Sequence, residues 1–326
     1  MPSNLPETVF LHPFTETESD PALPPEADVV IIGGGIIGIT AALELAQHGL
    51  KVAVLEKGKI AAEQSSRNWG WVRQQGRDRR ELPLIVQSLA LWEHYQQSLG
   101  TDLGFRRTGL VSLTRDEKEL KRWQRWATRG RAADITVEEL NTEQAERFLR
   151  AGSRPWLGGI STPTDAKAEP GLAVPALAKA ARQAGVTLHQ HTAARALQLS
   201  NGEITGVITE HGTIRTRAVL LAAGAWSSLF LRQHDIRLPQ LNVRATVART
   251  SPSEPLIPGT FCSSDFCLRQ RLDNGLTLTL REDESFDVGI DSLHYFSDFF
   301  PLLRKNWRTI KLHFSLTLVC PDPHGH

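Results

Sequence analysis

Residues 28–56 constrain the fold more than any other stretch. They read Asp28, the β-branched run Val29-Val30-Ile31-Ile32, then Gly33-Gly34-Gly35-Ile36-Ile37-Gly38, a mixed segment to His48, Gly49, and a second apolar run ending at Glu56. The first run predicts a strand buried on both faces. Gly33, Gly35 and Gly38 fall on a G-x-G-x-x-G spacing. In that pattern the first glycine makes the tight turn and the second lets the backbone approach a pyrophosphate. The third lets the helix lie close to the sheet. The helix then offers unpaired N–H groups and its positive dipole end to the anion. Ala41, Ala42 and Ala46 keep that helix slim, and Gly49 suits the left-handed residue that ends it. Glu56 follows the glycines at about 20 residues, where an acid accepts hydrogen bonds from an adenosine ribose and disfavours a 2′-phosphate. Strand, turn, helix, strand and acid in this order predict a dinucleotide site. The unit alone fits NAD as well as FAD.

The chain has 326 residues, enough for two domains and a large core. With 40% hydrophobic and 22% charged residues it has the composition of a globular protein, and a net charge of +1 gives no general attraction to nucleic acid. Three cysteines, Cys262, Cys267 and Cys320, match no zinc spacing. They predict free thiols in a reducing cytosol and no metal site. No basic segment followed by an apolar core opens the chain. The apolar run over 29–46 is broken by glycines, Thr40 and Glu44, which argues against a membrane span. A cytoplasmic protein with no integral membrane segment is the expectation, and oligomeric state has no signature.

Taken in order, residues 1–27 are rich in Pro, Glu, Thr and Ser and predict a disordered tail. The loop after Glu56 carries Lys57 and then Ser65-Ser66-Arg67-Asn68-Trp69-Gly70-Trp71-Val72-Arg73-Gln74-Gln75-Gly76. It is a dense set of hydrogen-bonding groups leaving the nucleotide unit, and loops on rigid α/β units often carry function; a polar surface loop anchored by its two tryptophans is the plainer alternative. An apolar stripe over 82–99, closed by Gly100, predicts a helix. Residues 105–113 predict a strand with a turn at Thr108-Gly109. Thr114 to Glu117 and Asn141 to Gln144 are capping boxes that open two helices. The first carries Lys118, Lys121, Arg122, Arg125 and Arg129. Acids dilute that charge, and Leu120, Trp123 and Ala127 give the helix a core face, so a solvated face is favoured over a nucleic-acid or membrane surface. Residues 158–170 predict turns. A helix follows, with Pro175 in its first turn and Gly185 at its end. Strands over 186–189, 192–199, 204–210 and 213–217 follow, the last three forming a meander through Asn201-Gly202 and His211-Gly212. A buried strand over 218–223 ends at Gly224. Strands over 242–250, 261–272, 276–280 and 288–290 suggest an antiparallel sheet, and 294–307 predicts a helix.

The glycine motif, the Ser65-Ser66-Arg67-Asn68 loop, the 165–170 turn and the Ala222-Ala223-Gly224-Ala225-Trp226-Ser227 segment occur in one order. Together they resemble the FAD-dependent superfamily of D-amino-acid oxidase, glycine oxidase and sarcosine oxidase, including D-amino-acid dehydrogenase-like members, from about Asp28 to about Trp307. The meander followed by Ala-Ala-Gly-Ala-Trp favours FAD over NAD. The resemblance implies an α/β (α+β mixed) fold, with a Rossmann-like FAD-binding domain bearing a three-stranded meander and an interleaved antiparallel-sheet substrate domain. It places the FAD-binding domain at 28–81 and 152–232, and the substrate domain at 82–151 and 233–326. It also implies that Gly33, Gly35, Ile36, Ile37 and Gly38 cradle the pyrophosphate, and that Glu56 with Lys57 holds the adenosine ribose end. Ser65, Ser66, Arg67, Asn68 and Gly70 would line the flavin end. Ala194 would contact adenine, and Ala223, Gly224 and Trp226 would pass close to the cofactor.

Two departures from the family pattern carry expectations. Some relatives attach the flavin through a histidine in the early loop; here Asn68-Trp69 stand there, so the FAD is expected to be non-covalent. The family also continues for roughly another hundred residues beyond Trp307, and nothing before His326 matches that region. Either the chain is truncated or the reading frame shifts near Lys311; alternatively, Ile310, Leu312, Phe314, Leu316 and Leu318 form a genuine edge strand. The implied reaction oxidises the C–N bond of a small amino acid or secondary amine, with hydride passing to flavin N5 and electrons going on to oxygen or a quinone. This chemistry requires positioning and exclusion of water more than a nucleophile, and no catalytic residue stands out. Arg73, able to pair with a carboxylate, and Gln75 are the substrate-side candidates. The alternative function is a catalytically inactive flavin-binding scaffold.

Overall fold

The computed structural model describes residues 16–149, 154–243, 245–280, 285–287, 290–306 and 311–313. The chain forms two compact units. The first comprises Met1–Gly70, Ala90–Phe105 and Ala168–Gly224, and the second Trp71–Leu89, Arg106–Lys167 and Ala225–His326. The helix Leu82–Ser98 is divided between them.

The first unit is built on a parallel sheet in the order Ala218–Leu221, Val29–Ile32, Val52–Leu55, Thr187–His189. Val30, Ile31, Ala53 and Val54 are wholly buried, as expected for strands covered on both faces. The helix Ile36–Gln47 starts directly from the glycine turn, and Gly49 takes the left-handed conformation (φ +84°) that ends it. Its buried residues Ile39, Ala42 and Leu43 belong to a helix that packs on Pro170–Gln183. Pro170, not Pro175, occupies the start of that second helix. Pro175 lies inside it among buried apolar neighbours. The meander Ala194–Ser200, Glu203–Thr209, Gly212–Arg215 forms its own three-stranded antiparallel sheet, with Asn201 and Gly202 both at positive φ in the first turn.

Residues 16–27 do not behave as a tail. Asp20 pairs with the edge strand at both ends of one residue, donating its N–H to Leu188 O (2.7 Å) and accepting Leu188 N–H on Oδ2 (2.8 Å). Arg182 bridges Glu18 and Asp20, and Ser19 accepts from Gln190 N. The polar composition that suggested disorder instead supplies partners for an exposed sheet edge.

The second unit holds a seven-stranded sheet in the order Ala248–Arg249, Leu276–Leu280, Phe266–Gln270, Thr260–Cys262, Leu110–Thr114, Gly158–Thr162, Glu138–Leu140. Its strands pair antiparallel except at the central joint, where Thr260–Cys262 runs parallel to Leu110–Thr114. Gly158–Thr162 is therefore a strand and not a turn. A Cβ on Gly159 would lie 2.0 Å from Ser112 O, so glycine there serves a close strand approach. The apolar core joins Val111, Leu113, Trp156, Phe261 and Leu268. Trp123, Trp126 and Ala127 of the helix Glu117–Arg131 form a second cluster with Leu82 and Ile160, consistent with a core face on the basic helix. That helix is capped by Asp116, which accepts Glu119 N–H at 2.7 Å; Thr114 instead accepts Asp116 N–H and donates to Glu119 Oε2. The capping box at Asn141 and Gln144 forms as read.

A turn at Ser263 splits the run 261–272 into two strands, because the Ser263 hydroxyl accepts the N–H groups of Asp265 and Phe266. This places Cys262 opposite Cys267, and the two are joined in a disulfide rather than left as free thiols. Among the described residues of the strand expected over 242–250 only Ala248–Arg249 forms, and Ile290 begins a helix, Ile290–His294, followed by Phe296–Asn306. Residues 288–289 and 307 lie outside the described residues. Lys311–His313 pairs in parallel with Ser285–Asp287; the rest of the alternating 310–319 run lies outside the described residues. A three-stranded sheet, Trp71–Val72, Ala166–Lys167 and Arg106–Arg107, completes the unit. The mixed α/β architecture with a parallel nucleotide-type sheet, a meander and a second, mainly antiparallel sheet is the one the sequence implied.

Candidate functional site

The glycine turn of the first unit shows where glycine is required. Gly33 has φ +114°, and a Cβ on it would lie 2.4 Å from Ala222 O. A Cβ on Gly38 would lie 2.0 Å from Gly33 O, so the helix can meet the turn only without a side chain there. A Cβ on Gly35 would sit 3.0 Å from Ser65 Oγ. Gly34, which the spacing argument passed over, is less constrained: its Cβ would lie 2.4 Å from Ile60 Cδ1, the end of a side chain that can turn away, and 3.0 Å from Glu56 Cβ.

Two side chains brace the turn. Glu56 accepts Gly34 N–H on one carboxylate oxygen and Gly58 N–H on the other, each at 2.8 Å. Ser65 accepts Ile36 N–H at 2.9 Å. Among the described residues the N–H groups of Gly35, Ile37 and Gly38 take no acceptor, and the Ile37 side chain is 69% exposed. Three unpaired donors at the N-terminus of a twelve-residue helix suit an anion such as a pyrophosphate. The fixed Glu56 carboxylate keeps lone pairs for ribose hydroxyls.

The rest of the early loop is ordered by its own polar groups. Ser66 Oγ donates to Ala62 O, Arg67 pairs with Glu63 at 3.1 Å, and Lys57 lies 3.8 Å from Glu63. Asn68 donates to Ser65 O (2.9 Å) and accepts Gly70 N–H (2.7 Å), with Gly70 at φ +73°. The segment leading to Ala194 is held against Glu56 and Gly58 by His191 N–H and Thr192 N–H, both at 2.9 Å. Ala222 N–H donates to Ile32 O, which brings Ala222 and Ala223 beside Gly33. The first unit thus gathers Glu56, Ser65, Ala222 and Ala223 around the turn formed by Gly33, Gly34, Gly35, Ile36 and Gly38.

Arg73, Gln75 and Trp226 lie in the second unit. Gln75 is buried, and its amide donates to Leu110 O and Thr162 Oγ1 and accepts from Ser112 Oγ. Arg73 Nη1 donates to Gln75 O, and its guanidinium lies 5.9 Å from the Trp71 ring centre. Beneath this loop is a group that sequence reasoning missed. Asp165, fully buried, accepts Gln74 N–H at 2.7 Å and Gln75 N–H at 3.1 Å. Burial pushes its carboxyl up to about 6, against the lowering effect of those two N–H groups and the Arg73 charge. Its partners are 91 and 90 residues away in sequence, so no local pattern marks it.

A parallel sheet, a glycine turn with free N–H groups and an acid on the second strand define a dinucleotide-binding protein. The sequence matches the FAD dependent oxidoreductase (DAO) family over residues 28–310, and the chain belongs to that family. FAD is its cofactor class. The chain is 30% identical to glycine oxidase of Geobacillus kaustophilus, over 74% of this chain and 66% of that protein. It is also 30% identical to the mouse mitochondrial pyruvate dehydrogenase phosphatase regulatory subunit, over 63% of this chain and 24% of that protein. The structure of L-amino acid deaminase from Proteus myxofaciens in complex with anthranilate superposes with a TM-score of 0.87 at 32% identity, covering 93% of this chain and 69% of that one. The chain therefore spans only part of each of these relatives. Among the described residues no helix is long and apolar enough to cross a membrane.

Proposed function

We propose that this protein is an FAD-dependent oxidoreductase that oxidises the C–N bond of an amino acid or secondary amine. The observation that carries the reading is the set of unpaired N–H groups at Gly35, Ile37 and Gly38 beside a Glu56 carboxylate fixed by Gly34 and Gly58. In a chain of this family, that arrangement fits the pyrophosphate and ribose of FAD. The first unit is the FAD-binding domain, with Lys57, Ser65, Ser66, Arg67, Asn68, Gly70, Ala194, Ala223 and Gly224 completing its contacts. The second unit is the substrate domain. Asn68 and Trp69 offer no attachment point, so the FAD is held non-covalently.

Bound FAD would accept a hydride at N5 from the amine-bearing carbon, and the electrons would pass to oxygen or a quinone. The protein's own part is to orient the substrate and exclude water. Arg73 supplies the charge for a substrate carboxylate. Gln75, whose amide is fully engaged by Leu110, Thr162 and Ser112, supports that loop from beneath. The names of the relatives, a glycine oxidase and an L-amino acid deaminase, support an amino-acid substrate.

The test is the visible spectrum of the purified protein, followed by anaerobic addition of glycine and of L- and D-amino acids. A flavin spectrum that bleaches with one of them supports the reading; bound flavin that no amino acid or amine reduces sinks it. The latter result would favour a second reading, a flavin-binding scaffold without turnover, for which the regulatory-subunit name of the mouse relative speaks. Arg73→Ala should raise the apparent KM with flavin content unchanged; unaltered saturation removes Arg73 from the pocket.

A further inference from the structure

We propose that Asp165 is a positioning residue, whose buried carboxylate clamps the Gln74–Gln75 backbone and thereby sets the orientation of the Arg73 guanidinium. The inference rests on the substrate-side role assigned to Arg73 above, and all of its geometry lies within the second unit.

Arg73 is bracketed by two anchors. On one side the short strand Trp71–Val72 pairs with Ala166–Lys167, in the register Val72 to Ala166. On the other side the two oxygens of Asp165 receive successive backbone N–H groups, Gln74 at 2.7 Å on Oδ1 and Gln75 at 3.1 Å on Oδ2. The residue before the second anchor strand thus holds the far side of the same loop. One residue, Arg73, is left between the two anchors to direct its side chain.

That side chain is seated on the clamped peptide. Arg73 Nη1 donates to the carbonyl of Gln75, the residue whose N–H Asp165 holds. Gly76 (φ +76°) leaves room for this, since a Cβ there would lie 3.0 Å from Arg73 Nη1. A rotation of the Gln75 backbone would therefore move the guanidinium's own acceptor.

The clamp itself has a rigid base. Asp165 N–H donates to Thr162 O at 3.1 Å, and Asp165 O accepts Gly109 N–H at 2.9 Å. Both partners adjoin strands of the seven-stranded sheet. Gln74 Nε2 adds a bond to Thr164 Oγ1 at 3.1 Å. A carboxylate suits this seat because it offers only acceptors to two converging donors. An asparagine would turn its NH2 toward one of those N–H groups. The Arg73 charge acts on the same carboxylate, so the pair is coupled electrostatically as well as through the backbone.

The experiment has two arms. Peptide-resolved hydrogen exchange on Asp165→Asn reads the clamp without turnover or flavin. Exchange at the Gln74 and Gln75 amides should speed up roughly tenfold; unchanged protection overturns the proposal. The second arm is a double-mutant cycle on the FAD-loaded protein, with glycine, L-alanine and L-phenylalanine as substrates. Asp165→Asn should raise the apparent KM roughly tenfold, with a smaller effect on kcat. In an Arg73→Ala background the same change should have less than about twofold effect, because the group it orients is gone. Asp165→Glu, which keeps the charge, should recover part of the affinity and carries the cycle if Asp165→Asn does not fold. Equal effects of Asp165→Asn with and without Arg73 overturn the positioning role. A raised KM in Arg73→Ala with none in Asp165→Asn sinks this inference and leaves the reading of Arg73 standing. An unchanged KM in Arg73→Ala removes Arg73 from the substrate site and the positioning role with it.

Discussion

Glu56 Oε2 accepts the N–H of Gly34 at 2.8 Å, so the acid at the end of the second strand holds the turn that follows the first. Its other oxygen holds Gly58 N–H. The residue expected to read a ribose therefore also shapes the phosphate turn. Glu56→Ala should weaken FAD binding roughly ten- to hundredfold, the loss expected for hydrogen bonds to a charged acceptor. Titration of flavin-free protein with FAD, followed by fluorescence, checks this. Affinity within twofold of the natural protein would show that Glu56 is dispensable.

Two glycines of the same unit should respond differently to alanine. At Gly38 a Cβ would lie 2.0 Å from Gly33 O, a backbone atom that cannot step aside. At Gly49 the space is open, and only the positive φ of +84° opposes a side chain. Gly49→Ala should cost about 1–2 kcal/mol in urea unfolding. Gly38→Ala should cost more and also abolish FAD retention. Equal destabilisation by both would contradict the packing of the turn.

Asp165 predicts a pH dependence. Its folded-state value is raised from 3.8 to about 6, chiefly by burial. The folded chain binds this proton more tightly than the unfolded chain. Its contribution to stability is therefore complete below 3.8 and is lost as pH rises through about 6, a swing of at most about 3 kcal/mol. The difference in unfolding free energy between the natural protein and Asp165→Asn should accordingly change between about pH 4 and pH 7. A flat difference across that range would mean that Asp165 titrates as an exposed acid.

Arg182 joins residues 16–20 to the body of the first unit through Glu18 and Asp20. Arg182→Ala should leave the parallel sheet intact but expose this segment, with a local cost of about 1 kcal/mol. Faster proteolytic clipping before residue 28, at unchanged global stability, is the expected result. Unchanged clipping would assign the hold to the bonds that Asp20 makes with Leu188 and Ser19 and Thr17 make with Gln190.

The legible parts of this chain are those decided by neighbours in sequence. Gly33, Gly35 and Gly38 sit within one turn, and their spacing marks it although only the Gly38 contact, with Gly33 O, is internal to the strand–turn–helix unit; Gly33 meets Ala222 and Gly35 meets Ser65. Asn141 and Gln144 cap their helix because both partners of the box lie within four residues. Misses occurred where a distant partner decided, or where one local side chain set the turn or the helix start. Asp20 is ordered by Leu188, Cys262 finds Cys267 through a turn made by one serine hydroxyl, and Gly158–Thr162 is a strand because Leu110–Thr114 and Glu138–Leu140 flank it. Asp165 looked like turn punctuation because the N–H groups it serves belong to Gln74 and Gln75. Thr114 was read as a cap from its capping-box spacing to Glu117, whereas the backbone enters the helix at Asp116.

The pairing of Val29–Ile32 with Ala218–Leu221 sets an order of events during synthesis. Gly33 packs on Ala222, so the turn's second wall is among the last parts of the first unit to leave the ribosome. At about 5–20 residues per second, that wall arrives on the order of ten to forty seconds after the glycines. Nascent chains arrested before residue 218 should fail to retain FAD, however long the cofactor is present. The nucleotide motif is written near the beginning of the message, but it becomes a binding site only after most of the chain has been made.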